Sequence, residues 1–553
     1  MVQIINMQEN HDKKIAIISV YDKTNIQGFA RELVSLGYTI ISSGGTAKVL
    51  QDAAIPVLDT ADFTGLPAML SHRVATLHPK IYGGLLAMDT DEHKAELLKA
   101  DYEWIDLVCV DFYPLKEEIA KEGSNIESVR EKTDIGGPTM VRAGGKGMRV
   151  SICDASDRPK VIEWLKAGEP DKEKFIQELS AKAEFVVAKY CAVSAGYLSE
   201  NKYQSLFGER YQQLRYGENA YQTPAYIVKT DSSEYPLAMH KFTIHTGNPS
   251  MINITDVDRG LKAITHIGAG MDKNFDTVPF IALGLKHGNA CGASIADTTD
   301  DAIIKMLNGN LKSIFGGAII VNFEITKDLA ELLIMHNTNG KRRPLDVIVA
   351  SSVTEEAIQV LKRQNDRCLV MTNSALDSLS EASLDHTPQV RQVTGGDWIE
   401  QPNHTYILDL SDKENIKYYG ANQKQGEEKA KLDLDTILGW GIATSSNSNT
   451  ITLVRDGMLI GNGVGQQDRV EAVELALKRA GDREHDVRGA VAVSDSFFPF
   501  PDAPQMLVGA GVARIFATSG SINDKATIAL FENNTTSELM HVPDPVARMF
   551  FGH

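Results

Sequence analysis

The sequence predicts an α/β protein with two domains, at residues 12–200 and 201–553. Short apolar runs rich in β-branched residues alternate with stretches of helical periodicity, which is the pattern of α/β domains. Residues 199–250 interrupt this pattern with polar residues, Gly, Pro and Tyr, as an inter-domain crossing does. A chain of 553 residues also exceeds what a single hydrophobic core organises.

The first domain begins with a βαβ unit. A strand is predicted at residues 15–20, and the helix after it has apolar residues at helical spacing and ends at Gly37. A second strand at 38–42 leads into another helix, and further strands are predicted at 105–110 and 150–153. Because helical stretches separate these strands, we expect an open, mostly parallel sheet.

The second domain repeats this alternation over a longer stretch. An amphipathic helix is predicted at 469–480, whereas residues 374–420 are polar and too weakly patterned for a prediction. No fixed-period repeat is detectable in the sequence. Strands are predicted at 280–285, 318–321, 347–350, 450–454, 490–493 and 512–517.

The composition excludes several classes of protein. The formal net charge of −17 argues against non-specific nucleic-acid binding, which depends on neutralising phosphates. No apolar stretch reaches the length of about 18 residues that a membrane span needs, and the polar N-terminus is unlike a secretory signal, so we expect a cytoplasmic protein. Five widely spaced cysteines without a C-x-x-C pair argue against a disulfide framework and a thiolate zinc site.

Motifs in the first domain favour a phosphate site. The tetrapeptide Ser43-Gly44-Gly45-Thr46 lies between a strand and a helix, where glycines and free N–H groups accommodate an anion, although an ordinary turn has the same pattern. Cations and a histidine cluster at residues 73–80, and polar side chains follow a strand at 111–114 and open a helix at 133–139. Each residue also has a purely structural interpretation, so their joint occurrence carries the prediction.

In the second domain, Lys286 and His287 directly follow a predicted strand. A single histidine in such a place is more often a core residue than a catalytic one. The adjacent ammonium group favours catalysis, because a neighbouring positive charge lowers a histidine pKa and keeps the imidazole neutral and able to accept a proton.

In order and spacing, these motifs resemble the family of bifunctional purine enzymes that join AICAR formyltransferase to IMP cyclohydrolase. The resemblance implies a methylglyoxal-synthase-like fold for the first domain and duplicated cytidine-deaminase-like α/β/α domains for the second. The matching segments are residues 19–24, 43–46, 73–79, 113–114, 134–137, 214–219, 286–292, 315–317, 448–449, 463–466, 494–502 and 519–521.

For the first domain the resemblance implies a cyclohydrolase site that closes the six-membered ring of IMP. The chemistry needs a polarised formyl oxygen and a route for the proton of the carboxamide nitrogen. By the resemblance, Tyr113, Asp134 and Lys146 would serve ring closure. The residues implied to hold the nucleotide are Ser19, Lys23, Ser43, Gly44, Gly45, Thr46, Arg73 and Thr76.

For the second domain the resemblance implies formyl transfer from 10-formyltetrahydrofolate to the 5-amino group of AICAR. His287 would accept the proton, and Lys286 and Asn449 would position the reacting groups and stabilise charge. No catalytic metal is expected, because the zinc motifs of true deaminases are missing around Lys286. The resemblance implies a homodimer with this site at its interface, and a structural monovalent cation is compatible with it. The implied substrate contacts are Arg215, Tyr216, Asn253, Asp256, Gly316, Gly317, Asp346 and Arg548, with Phe497 and Asp502 in the folate pocket.

Two departures from the family pattern leave alternatives open. Ala75 stands where the family usually has Lys, so a formyltransferase with weakened or lost cyclohydrolase activity is one alternative, and Lys80 is a candidate to compensate. Thr444 also replaces a usual Lys. A second alternative is a nucleotide-binding regulatory protein without turnover. A Rossmann dehydrogenase is excluded, because no G-x-G-x-x-G follows the first strand.

Overall fold

The computed structural model describes residues 13–70, 73–230, 234–364, 367–421, 423–532, 534 and 536–552. The chain forms two compact units, Met1–Phe207 and Gly208–His553. The outer bounds predicted for the two domains, residues 12 and 553, lie outside the described residues.

The first unit contains a five-stranded parallel sheet with strand order β3-β2-β1-β4-β5, which confirms the predicted open parallel sheet. The strand predicted at 105–110 begins two residues later, because the Ile105 N–H is bound by the Gly84 carbonyl outside the sheet. The strands are β1 Lys14–Ser19, β2 Tyr38–Ser42, β3 Val57–Asp59, β4 Leu107–Val110 and β5 Val150–Ile152.

Helices cover both faces of this sheet. Alternate residues of β1 face two separate cores: Ala16 and Ile18 lie in one, and Ile15 and Ile17 in the other. This doubly covered arrangement explains why the strand is apolar on both faces. The helices are α1 Ile26–Ser35, α2 Gly44–Asp52, α3 Thr60–Thr64, α4 Pro79–Leu86, α5 Asp91–Lys99, α6 Leu115–Ala120, α7 Ile126–Lys132, α8 Gly136–Lys146, α9 Asp157–Lys166 and α10 Lys172–Leu198.

The second unit is organised around a twelve-stranded mixed sheet and two small hairpins. The hairpins are β6–β7, within the predicted crossing at 199–250, and β14–β15, within the segment at 374–420 for which no structure is predicted. The strands are β6 Glu209–Leu214, β7 Ala225–Lys229, β8 Thr243–Thr246, β9 Phe280–Lys286, β10 Asn289–Ala296, β11 Ala318–Val321, β12 Val347–Ala350, β13 Leu369–Thr372, β14 Gln389–Gln392, β15 Trp398–Gln401, β16 Lys417–Tyr419, β17 Ile451–Arg455, β18 Met458–Gly463, β19 Val491–Ser494, β20 Arg514–Ser519 and β21 Glu538–Pro543.

Helices of the second unit connect these strands in the same way in each half. The long helices α11 and α15 precede the hairpins β9–β10 and β17–β18, respectively. The helices are α11 Met251–Phe275, α12 Thr299–Gly309, α13 Lys327–Met335, α14 Glu355–Leu361, α15 Gly426–Ala443, α16 Arg469–Gly481, α17 Asp502–Gly509, α18 Asp524–Glu532 and α19 Asp544–Ala547. Short 3₁₀ helices lie at Met239–Lys241, Ser374–Ser378, Glu381–Ser383 and Thr394–Gly396.

The large sheet is an internal duplication. The strand order β8-β13-β12-β11-β9-β10 of the first half corresponds, strand for strand, to β16-β21-β20-β19-β17-β18 of the second. The antiparallel pair β10–β18 joins the two halves at the centre of the sheet. The duplicated α/β/α architecture is therefore confirmed, although the sequence itself shows no periodic repeat.

A buried ion triad crosses the core of the second half. The Arg514 side chain is almost completely buried, and its Nε donates to Glu538 Oε1 at 2.7 Å. Its Nη1 donates to Asp433 Oδ1 at 2.6 Å. Because the charges are desolvated, each depends on the others for compensation.

Two further observations concern membrane spans and disulfide frameworks, which the composition argues against. Within the described ranges no helix combines the length and apolarity needed to span a membrane. All five cysteines are free, and three of them, Cys109, Cys153 and Cys368, are buried.

Candidate active sites of the two units

The Gly-rich turn after β2 lies at the N-terminus of α2, next to a lysine. Ser43 is the N-cap residue in extended conformation, and Gly44 has φ +53°, a value that favours glycine. The Lys23 side chain reaches the turn, since a Cβ at Gly45 would lie 3.9 Å from Lys23 Cε. A cation beside the N–H groups of a helix N-terminus is the geometry of a phosphate site.

Three more residues expected to hold the nucleotide lie at or beside the end of β1. Ser19 is half-buried as the last residue of the strand. Thr46 is buried, and its Oγ1 donates to the Val20 carbonyl at 3.0 Å and accepts from the Val20 N–H at 3.2 Å. Lys23 Nζ donates to the carbonyls of Val20 at 2.6 Å and Tyr21 at 3.0 Å. Lys23 and Thr46 are thus held together through Val20.

Tyr113 lies just beyond the carboxyl end of β4. Its half-buried ring packs edge-on against the Tyr21 ring, with centroids 4.9 Å apart. Lys132 Nζ lies 4.9 Å from the centroid of the Tyr113 ring. The ring therefore contacts both an aromatic side chain of the turn after β1 and a cation.

An Asp–Arg pair positions the turn that contains Tyr21. Asp111 Oδ1 accepts from the Tyr21 N–H, and Asp111 Oδ2 pairs with Arg158 Nη2 at 3.0 Å. Arg158 Nη1 also donates to the Thr24 carbonyl at 3.1 Å. Burial raises the pKa of the Asp111 carboxyl, and the Tyr21 N–H and the Arg158 charge partly oppose that rise. No motif in the sequence predicts this pair. The one signal for it is that Asp111 directly follows a predicted strand.

Asp134 and Thr76 lie at the N-terminus of α8. Asp134 Oδ1 accepts from the Gly137 N–H at 2.9 Å, and the Asp134 N–H donates to the Tyr190 hydroxyl at 2.7 Å. Burial raises the pKa of the Asp134 carboxyl, which favours its protonated form. Thr76 is buried, and a Cβ at Gly136 would lie 2.8 Å from Thr76 Oγ1.

Two predicted residues of the first unit are placed apart from this group or engaged elsewhere. Lys146 is the last residue of α8 and is exposed, so ten residues of helix, about 15 Å, separate it from Gly136. Arg73 is exposed and forms an ion pair with Glu131.

Lys80 is not positioned to replace the missing lysine at Ala75. Its Nζ pairs with Glu103 Oε2 at 3.1 Å and lies 4.7 Å from the Phe63 ring centroid. The compensation considered from the sequence therefore has no support in the geometry.

In the second unit, Lys286 and His287 form the tip of the β9–β10 hairpin. His287 and Gly288 have φ values of +52° and +72°, as a two-residue hairpin turn requires. The His287 side chain is exposed. Lys286 Nζ donates to the carbonyls of Phe315 at 2.8 Å and Gly316 at 2.9 Å, which fixes the ammonium group beside the turn.

Buried aspartates hold the corresponding hairpin turns of both repeats. Asp256 Oδ1 accepts from the Gly288 N–H at 2.6 Å. In the second repeat, Asp435 accepts from the N–H groups of Asp456 at 3.0 Å and Gly457 at 2.7 Å. Burial raises the pKa of both carboxyls, that of Asp435 to about 6. Both repeats therefore hold the hairpin turn with a buried aspartate. The second turn has Asp456 at the position that His287 occupies in the first.

Asparagine side chains link Asn449 to the histidine turn. Asn289 Nδ2 donates to the His287 carbonyl at 3.1 Å, and Asn289 Oδ1 accepts from the Asn447 N–H at 3.1 Å. Asn449 follows two residues later, and its Nδ2 donates to the Gln466 carbonyl at 3.0 Å. The structure thus brings the segment of Asn449 beside Lys286 and His287.

The predicted AICAR contacts at the N-terminus of α11 also come together. Arg215 Nη2 donates to Asn253 Oδ1 at 3.3 Å, and the guanidinium lies 5.4 Å from the Tyr216 ring centroid. Asn253 forms a capping box with Ser250. The exposed Arg215 therefore sits on a helix start that is itself well defined.

Gly316, Gly317 and Asp346 converge on Lys286. A Cβ at Gly316 would lie 3.2 Å from Lys286 Nζ and 3.6 Å from Asp346 Oδ2. The Asp346 N–H donates to the Gly317 carbonyl at 3.1 Å, and Asp346 Oδ1 pairs with Arg363 at 2.7 Å. Gly316 has φ +67°, a value that favours glycine, and a side chain there would also crowd the ammonium.

The C-terminal tail approaches the segment that contains Asn447 and Asn449. The Ser448 N–H donates to the Phe551 carbonyl at 3.1 Å. Arg548 forms an ion pair with Asp544, and its guanidinium lies 5.0 Å from the Phe550 ring centroid. In this structure Arg548 therefore has an internal partner.

The residues predicted for a folate pocket follow β19. Phe497 is half-buried, and Asp502 is the exposed first residue of α17. Thr444, which replaces a usual lysine, is buried and donates to the Gly441 carbonyl of its own helix at 2.8 Å. Position 444 thus provides no positive charge, unlike the lysine that is usual there.

A cavity of about 270 Å³ opens beside Lys286 and His287. None of the described residues that line it is acidic, and Arg479 adds a second cation. Two larger open clefts, of about 700 and 520 Å³, lie around Asp300 and Asp328 and contain none of the predicted site residues. Across the described residues no group of three or more His, Cys, Asp or Glu side chains is arranged to hold a metal ion.

Comparison with known proteins decides the family. The model described as "AICARFT/IMPCHase bienzyme" matches residues 148–479, and the model described as "MGS-like domain" matches residues 25–139. The "Bifunctional purine biosynthesis protein PurH" of Anoxybacillus flavithermus is 35% identical over 530 residues, which cover 93% of this chain and 96% of the relative. The chain belongs to the AICARFT/IMPCHase bienzyme family.

Other relatives agree with this assignment. PurH of Listeria welshimeri is 35% identical over 529 residues, covering 94% of this chain and 96% of the relative, and PurH of Acetivibrio thermocellus is 34% identical over 525 residues, covering 93% and 96%. The bienzyme family combines AICAR formyltransferase with IMP cyclohydrolase in purine biosynthesis. The MGS-like match confirms the fold expected for the first unit.

Proposed function

We propose that the second unit transfers the formyl group of 10-formyltetrahydrofolate to the 5-amino group of AICAR, with His287 as the proton acceptor. The observation that carries this proposal is the hairpin tip at which an exposed imidazole lies next to an ammonium group fixed on the carbonyls of Phe315 and Gly316. An imidazole in that place can reach a bound substrate without any core residue having to move.

The proposed step balances as follows. The AICAR amine nitrogen attacks the formyl carbon, the bond from that carbon to the folate N10 breaks, and His287 takes the proton that the amine loses. The folate nitrogen leaves with a proton, so tetrahydrofolate and the formylated nucleotide are the products. Donors at Lys286 and Asn449 would stabilise the oxyanion that forms on the formyl oxygen.

For the first unit we propose the dehydrative ring closure that yields IMP. The phosphate would bind the N-terminus of α2 with Lys23, where a cation and backbone N–H groups meet. Tyr113 and Asp134 would act on the reacting groups. The carboxamide nitrogen attacks the formyl carbon and loses one proton, the formamide nitrogen loses a second, and the formyl oxygen takes up both and leaves as water. The raised pKa of Asp134 suits a group that exchanges protons.

Paired assays test both proposals. AICAR with formylfolate and formyl-AICAR alone are supplied in separate reactions, and IMP is followed by absorbance. We expect turnover in both. Formylation without closure above the uncatalysed rate would leave a transferase only, and nucleotide binding without any turnover would favour a regulatory protein.

Asp256 is expected to act through the His287 turn, and its counterpart Asp435 provides the control. Asp256→Ala removes the acceptor of the Gly288 N–H, so we expect formyl transfer to fall about 10²-fold through misplacement of His287. Asp256→Asn keeps an acceptor and should recover most of that loss. Steady-state rates with AICAR measure both.

Asp435→Ala removes the equivalent support from the second turn. We expect it to lower the melting temperature without a comparable loss of formyl transfer. An equal loss of activity in the Asp435 and Asp256 variants would mean that both act through general stability.

We also propose that the enzyme is a cytoplasmic homodimer that acts on small molecules and not on nucleic acid, with 10-formyltetrahydrofolate as co-substrate and a structural monovalent cation. Light scattering at assay concentration tests the dimer. Activity in potassium compared with choline salts tests the cation, since choline is too large for a site that fits a potassium ion.

A further inference from the structure

A cation over the Tyr113 ring comes from a residue outside every predicted site. Lys132 is the last residue of α7 and lies two positions before Asp134. Its Nζ is 4.9 Å from the Tyr113 ring centroid, and within the described residues Lys132 forms no ion pair. An exposed ammonium on a half-buried tyrosine ring is available to a bound ligand.

The segment that contains Ala75 runs alongside the segment that contains Lys132. Arg73 pairs with Glu131 at one end of this contact, and Thr76 meets Gly136 at the other. Ala75 lies between Arg73 and Thr76, as Lys132 lies between Glu131 and Gly136. Ala75 and Lys132 therefore lie between the same two contacts.

Other lysines of this unit are engaged or remote. Lys80 is paired with Glu103, and Lys121 Nζ pairs with Glu118 at 2.6 Å. Lys23 binds the backbone carbonyls of Val20 and Tyr21. Lys146 lies at the far end of α8. Of the five lysines compared here, Lys132 is the one whose ammonium lies over the Tyr113 ring and is not held by an ion pair or by backbone carbonyls.

We propose that Lys132 supplies the positive charge for ring closure that Ala75 lacks. The inference rests on the proposed cyclohydrolase function of the first unit. Attack of the carboxamide nitrogen on the formyl carbon places negative charge on the formyl oxygen, and an ammonium beside Tyr113 stabilises that oxygen until it takes up protons and leaves as water.

Lys132→Met tests the role. We expect kcat for closure of formyl-AICAR to fall about 10²-fold, while KM and formyl transfer change little, because the charge acts on the developing oxyanion and the phosphate contacts remain. Lys132→Arg should retain part of the rate. Arg130→Met removes an exposed cation from the same helix and is the matched control, for which closure at the parental rate is expected.

A second substitution tests the exchange of positions. Ala75→Lys in the Lys132→Met background should recover at least about tenfold of the lost rate if the two positions serve the same oxyanion. Closure by Lys132→Met at the parental rate would overturn the assignment while leaving the cyclohydrolase intact. An unsubstituted enzyme that does not close the ring would instead refute the proposed function, and this inference with it.

Discussion

Replacing His287 by alanine is expected to lower formyl transfer by about 10²- to 10⁴-fold, the range that positioned general bases contribute. Ring closure should stay at the parental rate, because its proposed residues lie in the other compact unit. The measurement is the initial rate of formyl-AICAR production, with direct closure of supplied formyl-AICAR as the internal reference.

The backbone at position 287 requires a second variant. His287 has φ +52°, so alanine adds strain to the turn, whereas asparagine tolerates this conformation and still lacks a base of suitable pKa. His287→Asn and His287→Ala should therefore be equally inactive. High activity in the asparagine variant would show that turn geometry, and not proton transfer, explains the alanine result.

The largest effect on stability is expected from Glu538→Gln. This change removes one of the two carboxylates that compensate the buried charge of Arg514. We therefore expect the free energy of unfolding to fall by about 3–5 kcal/mol. Urea unfolding followed by tryptophan fluorescence measures it, since Trp440 is buried in the second unit.

The exposed pair Arg488–Asp486 provides the comparison. Asp486→Asn should leave the unfolding free energy almost unchanged, because water screens both charges. Losses of similar size in the two variants would contradict the view that burial makes the Arg514 triad essential.

The strands that the sequence predicts best are those with continuous apolar runs. β2, β11 and β12 have their predicted bounds, because each is a short apolar run buried on both faces. β10 was not predicted, since Asn289–Ala296 consists mainly of small and polar residues of low strand propensity. Its Gly292 is required by tertiary packing, because a side chain there would collide with the Met306 carbonyl of α12.

The site shows the same division between local and tertiary information. The Gly44 turn and the Lys286–His287 hairpin are local, so their motifs predict them directly. Lys132 approaches Tyr113 from a different helix, and Arg158 reaches Asp111 across 47 positions of sequence. Such pairs depend on how elements pack, which no motif in either segment records.

The two outermost strands of the twelve-stranded sheet bear on aggregation. β8 has four residues and β16 three, and each is paired on one side. The register of β8 is irregular beside Val370, and Lys417 is exposed on β16. Edge strands that are short, irregular and charged pair poorly with strands of other molecules. Both edges of this wide sheet can therefore be exposed to solvent without promoting aggregation.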